Sequence, residues 1–308
     1  MSASPGGEPG LTRVLALLGP TASGKTEAAI RMAEHFGAEI LSVDSMQVYR
    51  GMDIGTAKPT VLQRAGITHH MIDVVDPEEE FSVAEYRRLG RRALRESSAP
   101  VMIITGGSGL HFRALVDPMS FAPTDAAVRA ELEGRGDLAL VEELLSVDPA
   151  ASSHVDLANP RRVVRALEIY RLTGETPSVR AGTALAEDVR RYVPEIEFEA
   201  VGVDPGSDLD DRVDRRLRQM RAGGLVDEVR SLAPKLGRTA RNAVGYREIL
   251  GALRGECSLD EAFDQAAVNT KRLARKQRIW FQRDPRIRWI PWADDLEQRT
   301  RRILEAFD

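Results

Sequence analysis

The consecutive residues Gly19-Pro20-Thr21-Ala22-Ser23-Gly24-Lys25-Thr26 fit the pattern G-x-x-x-x-G-K-[ST]. In this pattern glycines permit close backbone approach, successive N–H groups face an anion, and the N-terminus of a following helix adds positive potential. Lys25 supplies a cation and Thr26 a hydroxyl suited to ligating magnesium. Such a loop holds a diphosphate or triphosphate but leaves the reaction open, because kinases, NTPases and other transferases share it. A second chemical candidate is Asp44, directly after the apolar run Ile40-Leu41-Ser42-Val43. A carboxylate at a strand end can act as a base or hold metal. Asp44-Ser45 is equally a good helix-capping pair, and position alone does not choose between the two.

Other residues carry less. An ATP-hydrolysing enzyme usually holds magnesium with an acid at the end of a second strand, whereas Val101-Met102-Ile103-Ile104 runs into Thr105-Gly106-Gly107-Ser108-Gly109. That argues against a motor or switch and leaves a small-molecule kinase open. His69 and His70 have no further ligands at metal-site spacing and read as structural. Cys257 stands alone, so it forms no internal disulfide and also reads as structural.

The elements that must position these residues follow from hydrophobic periodicity. Val14-Leu15-Ala16-Leu17-Leu18 is a short apolar run ended by Gly19-Pro20, and a helical pattern covers Thr26 to Phe36. With the runs at 40–43 and 101–104 and a helical stretch from Val83 to Ser97, this indicates βαβ units and a mainly parallel sheet. Its ligand crevice lies beyond the carboxyl ends of the strands. After Asp117-Pro118 the pattern turns helical, around Ala126 to Leu132, Ala139 to Ser146 and Pro160 to Thr173. Alternation returns at Glu195 to Val201, and from Asp208 onward the chain reads as mostly helical, with a long helix from near Leu259 ended by Pro285.

A length of 308 residues with 43% hydrophobic and 29% charged residues suits one large domain or two modest ones. A net charge of −4 does not by itself suggest a nucleic-acid binder, so the placement of the arginines matters. Residues 1–10 lack the basic start and apolar run of a secretory signal, and no segment reaches membrane-spanning length. A cytoplasmic protein with a disordered tip at 1–10 is expected.

The stretch Asp44-Ser45-Met46-Gln47-Val48-Tyr49-Arg50-Gly51-Met52-Asp53-Ile54-Gly55-Thr56-Ala57-Lys58-Pro59 resembles a signature of the tRNA dimethylallyltransferase, or IPP transferase, family. The resemblance continues through His69-His70-Met71-Ile72-Asp73, Phe81 to Tyr86, Gly106 to Leu110, and Asn159-Pro160-Arg161-Arg162 with Arg165 to Glu168. It extends to Val244-Gly245-Tyr246-Arg247-Glu248, Lys271 to Gln277, and Trp280-Phe281, and so spans nearly the whole chain.

What the resemblance implies is specific. The fold would be α/β, a P-loop NTPase-like parallel-sheet core at 11–117 and 196–308 with a helical C-terminal region, and a helical insertion at 118–195 contacting tRNA. A dimethylallyl group would pass from its diphosphate to the exocyclic amine of an adenosine beside the anticodon, in tRNAs reading codons that begin with U. Asp44 would take the amine proton, with Ser108, Lys25 and Arg216 as further catalytic residues. Residues 19–26 (Gly19, Pro20, Thr21, Ala22, Ser23, Gly24, Lys25 and Thr26) and Arg212 would hold the diphosphate, with Mg²⁺ on Thr26. The tRNA anticodon stem-loop would meet Asp44, Ser45, Met46, Gln47, Ser108, Arg129, Arg161, Arg162, Val163, Val164 and Arg165. It would also meet Asn242, Ala243, Val244, Gly245, Tyr246 and Arg247. Ser108 stands where the family usually has threonine and His111 where it has tyrosine. A monomer is expected.

Residues 271–288 add a concentration of Lys and Arg with interspersed aromatics. Lys271, Arg275 and Arg278 share one helical face, read as available to phosphates, while Leu273, Gln277 and Trp280 share another, read as core-packing. Arg212 and Arg216, four apart, also share a face, where the alternative to a site role is pairing with Asp208 or Asp211. The run Arg87, Arg88, Arg91, Arg92 reads as solvated helix. A kinase would turn over ATP without prenyl diphosphate; a related enzyme would prenylate free adenosine phosphates; and a non-catalytic RNA-binding module would tolerate Asp44→Asn.

Overall fold

A computed structural model describes residues 12–307, so the expectation for residues 1–10 lies outside the described residues. Six strands form one sheet: β1 Arg13–Leu18, β2 Glu39–Val43, β3 His69–His70, β4 Val101–Gly106, β5 Glu199–Asp204 and β6 Ile287–Pro291. Their order is β3-β2-β4-β1-β5-β6 and every pairing is parallel. The helices are α1 Lys25–Phe36, α2 Val83–Glu96, α3 Gly109–Val116, α4 Ala126–Glu133, α5 Asp137–Val147, α6 Pro160–Thr173, α7 Pro177–Ala181 and α8 Ala184–Arg190. Then come α9 Leu209–Ala222, α10 Leu225–Leu232, α11 Tyr246–Leu253, α12 Leu259–Gln282 and α13 Leu296–Leu304.

The sheet is apolar on both faces because both are covered, as parallel sheets require. Alternate residues of one strand enter different cores: Val14, Ala16 and Leu18 of β1 pack with Phe112 and Leu115 of α3, whereas Leu15 and Leu17 pack with Ala28 and Met32 of α1. β4 divides in the same way, Met102 and Ile104 against Val101 and Ile103. Helix boundaries have local causes. Ser82 with Glu85 and Ser258 with Glu261 form capping boxes that start α2 and α12.

Up to Val116 and from Ile196 onward the described residues form one compact unit, and Asp117–Glu195 forms another. The second has its own core, in which Leu132 and Leu144 pack with Val163 and Leu167 of α6.

Two local expectations are corrected, and one strand goes unseen in the sequence. β5 starts at Glu199, because pairing with β1 begins there, opposite Leu15; Ile196 and Phe198 of the anticipated strand instead pack against the core beside it. β6 lies in the segment read as helical; with Arg288 exposed and Pro291 at its end it is an edge strand paired only with β5, so its pattern is weak. β3 is too short to register as a strand in sequence.

Candidate active site

The carboxyl ends of β1, β2 and β4 deliver the 19–24 loop, Asp44 and the 107–109 turn to one place. A cavity of about 320 Å³ is lined by Asp44, Ser45, Met46, Ser108 and Ala243–Gly245, with apolar walls from Leu217, Met220, Leu225, Leu273 and Trp280. A smaller one, about 70 Å³, is lined by Lys25, Thr26, Gln47, Thr105 and Gly106. Thr21, Asp44, Thr56, Gly107, Arg216 and Gln277 belong to both. A wide mouth on the far side of the loop, lined by Ala22–Glu27, Arg212, Trp292 and Arg299, also reaches Lys25, Thr26 and Arg216. Arg216 therefore touches all three spaces.

The loop ends at Gly24, whose φ of 67° leads into α1, while Ala22 also takes a positive φ of 61°. Lys25 is 9% exposed and folds back to donate to Pro20 O at 2.6 Å and Ser23 Oγ at 3.3 Å. Burial, then repulsion from Arg216, lowers its pKa to about 7, partly offset by Asp44. Arg216 donates to Thr21 Oγ1 at 3.3 Å, and burial lowers its pKa. Arg212 donates to Ala22 O at 3.0 Å and to Pro205 O, with its guanidinium 4.1 Å from the Trp292 ring. Arg299 stacks on the same ring at 4.3 Å. The shared face of α9 thus points at the phosphate loop; its two arginines donate to Thr21 Oγ1, Ala22 O and Pro205 O rather than to Asp208 or Asp211, although the charge of Asp208 still acts on Arg212.

Asp44 caps a turn rather than a helix, and it also faces the site. Its Oδ1 accepts from Met46 N at 2.8 Å and Gln47 N at 3.3 Å, a local cap, while the side chain lines both cavities. Its charge is felt by Lys25, Arg216, Tyr86 and His111. Ser108 Oγ lies 2.7 Å from His111 Nδ1, and the His111 and Tyr86 rings pack in a T shape with their centroids 4.5 Å apart. Burial pushes the His111 pKa down to about 4, so the ring is neutral at ordinary pH. Tyr86 in turn donates to Ser42 O at 2.5 Å.

Several expected contacts are occupied otherwise. The Gln47 amide accepts from Ser42 Oγ at 2.9 Å and donates to Thr56 O at 3.2 Å, so it braces the cavity wall instead of facing the larger cavity. Tyr246 is fully buried, with its hydroxyl on Glu228. Val163 and Val164, 1% and 6% exposed, belong to the core of the helical unit, as their place opposite exposed Arg161 and Arg162 on α6 requires. Arg129 and Arg165 both bond the buried Glu168 at 2.7 Å, and Arg165 also holds Ala122 O and Pro123 O. Asn242 and Arg247 are exposed.

The basic face of α12 is also committed: Lys271 pairs with Asp214, Arg275 with Asp210 and Arg278 with Asp204, at 2.8, 2.8 and 2.9 Å. Its supposed core-packing face lines the larger cavity instead. Leu273 and Trp280 remain 39% and 44% exposed, and Gln277 Oε1 accepts from Thr21 N at 2.9 Å, tying α12 to the phosphate loop. Gly109 is required here, because a Cβ would fall 1.9 Å from the Trp280 ring. Gln277 was therefore the missed site residue, and a polar side chain within an otherwise apolar stripe was its signal.

His70 pairs with Glu39 at 2.7 Å and His69 bonds Ile67 O, both structural contacts. Among the described residues no cluster of His, Cys, Asp or Glu is suited to a metal ion.

The IPP transferase family model matches residues 47–284. A tRNA dimethylallyltransferase of Bifidobacterium longum is 44% identical over 90% of this chain and 86% of that protein. One from Acidothermus cellulolyticus is 43% identical over 99% and 98%. The crystal structure of a full-length tRNA isopentenylpyrophosphate transferase from Bacillus halodurans superposes with a TM-score of 0.70 at 34% identity, covering 96% of this chain and 95% of that one. A eukaryotic dimethylallyltransferase captured acting on tRNA shares the fold, with a TM-score of 0.75 at 23% identity over 96% and 79%.

Proposed function

The chain belongs to the IPP transferase family, and from that premise we propose that it transfers a dimethylallyl group from dimethylallyl diphosphate to the 6-amino nitrogen of the adenosine 3′ to the anticodon, in tRNAs reading codons that begin with U. The observation that carries this reading is Asp44, a carboxylate shared between an apolar-walled cavity and the cavity floored by the phosphate loop. The base and prenyl chain fit the first; the diphosphate fits the second.

An adenine amine is a poor nucleophile, since its lone pair is delocalised into the ring. The allylic carbon compensates by developing cationic character as the diphosphate departs. The new C–N bond forms as the C–O bond to the diphosphate breaks, and the amine proton passes to Asp44. Ser108 Oγ, beside neutral His111, borders the same space. Negative charge gathers on the leaving group, where Lys25 and Arg216 line the cavity, while Arg212 holds the loop from its far side through Ala22 O. Mg²⁺ suits this donor set, because it is typically held by few protein groups together with substrate phosphates; Thr26 Oγ1 would hold it and it would neutralise leaving-group charge.

The adenosine must leave its stack to enter the cavity, which a single-stranded anticodon loop makes easy. Arg161 and Arg162 open α6, where the helix dipole disfavours cations, and phosphate contact from the stem-loop would offset that cost. Nothing in the reaction needs a second subunit or a membrane, and we read the chain as a cytoplasmic monomer. No described helix is long and apolar enough to cross a membrane. The strand-end acid of an ATP hydrolase has no counterpart at the end of β4, where Thr105 Oγ1 instead donates to Leu17 O at 3.0 Å.

The test is incubation with Mg²⁺ and labelled dimethylallyl diphosphate, offering unmodified tRNA, AMP and ADP in parallel. Label should reach tRNA alone, and Asp44→Asn should slow transfer by about 10²–10⁴-fold. Label on AMP or ADP, or none on tRNA, would overturn the reading.

A further inference from the structure

Glu228 of α10 accepts from three successive main-chain N–H groups: Asp53 at 3.0 Å, Ile54 at 2.7 Å and Gly55 at 3.0 Å. Its Oε1 also accepts the Tyr246 hydroxyl at 2.5 Å. A carboxylate gathering three consecutive amides inverts the usual nest, in which a backbone concavity captures an anionic ligand. Here the anion belongs to the protein. The turn it gathers leads directly into the larger cavity, which Gly55 and Thr56 line on one side and Ala243 to Gly245 on another. Tyr246 follows Gly245 in sequence, so one carboxylate joins two cavity walls without lining the cavity itself.

The join is tight. A Cβ on Gly55 would fall 2.4 Å from the Tyr246 ring and 3.0 Å from Leu225, so that backbone rests on the ring. Leu225, one turn before Glu228 on α10, also lines the cavity. Burial, and then the neighbouring carboxylate, push the Tyr246 phenol far up, so it remains a donor. Beyond the turn, Lys58 holds Asp53 and Asp73 at 2.6 Å each, and Thr56 O receives the Gln47 amide. Gln47 and Asp44 share a turn, which connects the Glu228 clamp to the proposed base.

We propose that Glu228 is a positioning residue for the acceptor adenosine: by clamping the 53–55 turn to Tyr246 it sets the width and rigidity of the cavity that receives the base. This rests on the function proposed above. The phosphate loop, held from α9 and α12, makes no contact with the clamp among the hydrogen bonds described. The two substrates should therefore respond differently to its loss.

The experiment compares steady-state KM for an unmodified anticodon stem-loop and for dimethylallyl diphosphate in wild type, Glu228→Gln and Tyr246→Phe. Glutamine offers one acceptor oxygen and turns N–H groups on the amides, so KM for the stem-loop should rise about tenfold to a hundredfold. KM for dimethylallyl diphosphate, whose prenyl end shares the larger cavity, should rise by no more than about threefold, and inorganic diphosphate should still raise the melting temperature of the variant as it does for wild type. Tyr246→Phe keeps the three amide bonds and should raise stem-loop KM by about threefold to tenfold, which tests the clamp even if Glu228→Gln folds poorly. Unchanged stem-loop KM in both variants would overturn the proposal, as would equal rises for both substrates. Wild type failing to label the stem-loop would instead sink the function reading, and this inference with it.

Discussion

Helices α9 and α12 each carry cations four residues apart on one face, Arg212 with Arg216 and Lys271 with Arg275, yet the two faces do opposite things. The arginines of α9 turn inward against main-chain and hydroxyl oxygens of the phosphate loop, with no carboxylate among their hydrogen-bond partners. The cations of α12 turn onto Asp214 and Asp210 of that same α9. Charge that a carboxylate has already neutralised is lost to an incoming phosphate, whereas charge resting on neutral oxygens is available to it. The number of arginines in a segment therefore says little until their partners are known.

The sharpest test of this contrast is Arg216→Gln. Removing one preorganised donor from a leaving-group site should lower kcat by about 10²–10³-fold, read in single-turnover labelling with saturating substrates. A variant within about threefold of wild type would erase the distinction between the faces.

A second test uses Lys25, whose pKa is lowered from 10.5 to about 7. Between those values the unfolded chain holds a proton that the folded protein releases, so this group makes stability rise with pH across that window. A bound diphosphate favours the charged ammonium, so binding takes up a proton there. Affinity for inorganic diphosphate should then fall above pH 7 by up to about tenfold per unit, with matching proton uptake by calorimetry in buffers of different ionisation heat. The pKa values of diphosphate itself must be separated by running Lys25→Met alongside. A flat affinity difference between the two proteins from pH 7 to 9 would remove Lys25 from the site.

The smallest effect belongs to the paired face. Arg275→Ala breaks a half-exposed ion pair and should cost only about 0.2–1 kcal/mol in denaturant unfolding, with transfer activity within about twofold. A large loss of tRNA binding would return that face to the phosphate contacts expected of it.

Much of this was legible along the chain, for local reasons. The phosphate loop announces itself because its glycines, lysine and threonine are adjacent, and β1, β2 and β4 because burial on both faces makes them uninterrupted apolar runs. Asp44 was visible as a strand-end acid, although only the family resemblance chose between capping and catalysis. What stayed hidden depends on partners distant in sequence. Glu228 looks like any acid in a first helical turn until Asp53 to Gly55 lie beside it. Gln277 looks like an interruption of an apolar stripe until Thr21 meets it. The strand β6 shows weakly because an edge position leaves one side of it wet.

The stack of Arg212 and Arg299 on Trp292 has a consequence for how the protein is made. Trp292 sits against Gly24, where a Cβ would lie 2.7 Å from its ring, so the rim of the phosphate loop is finished by residues synthesised long after it. The central strand likewise must wait for β5 to pair with it on one side. On the ribosome the loop emerges well before the residues that complete it, a high-contact-order closure that slows folding. Anion binding should accordingly appear late and all at once, when the two ends of the fold meet.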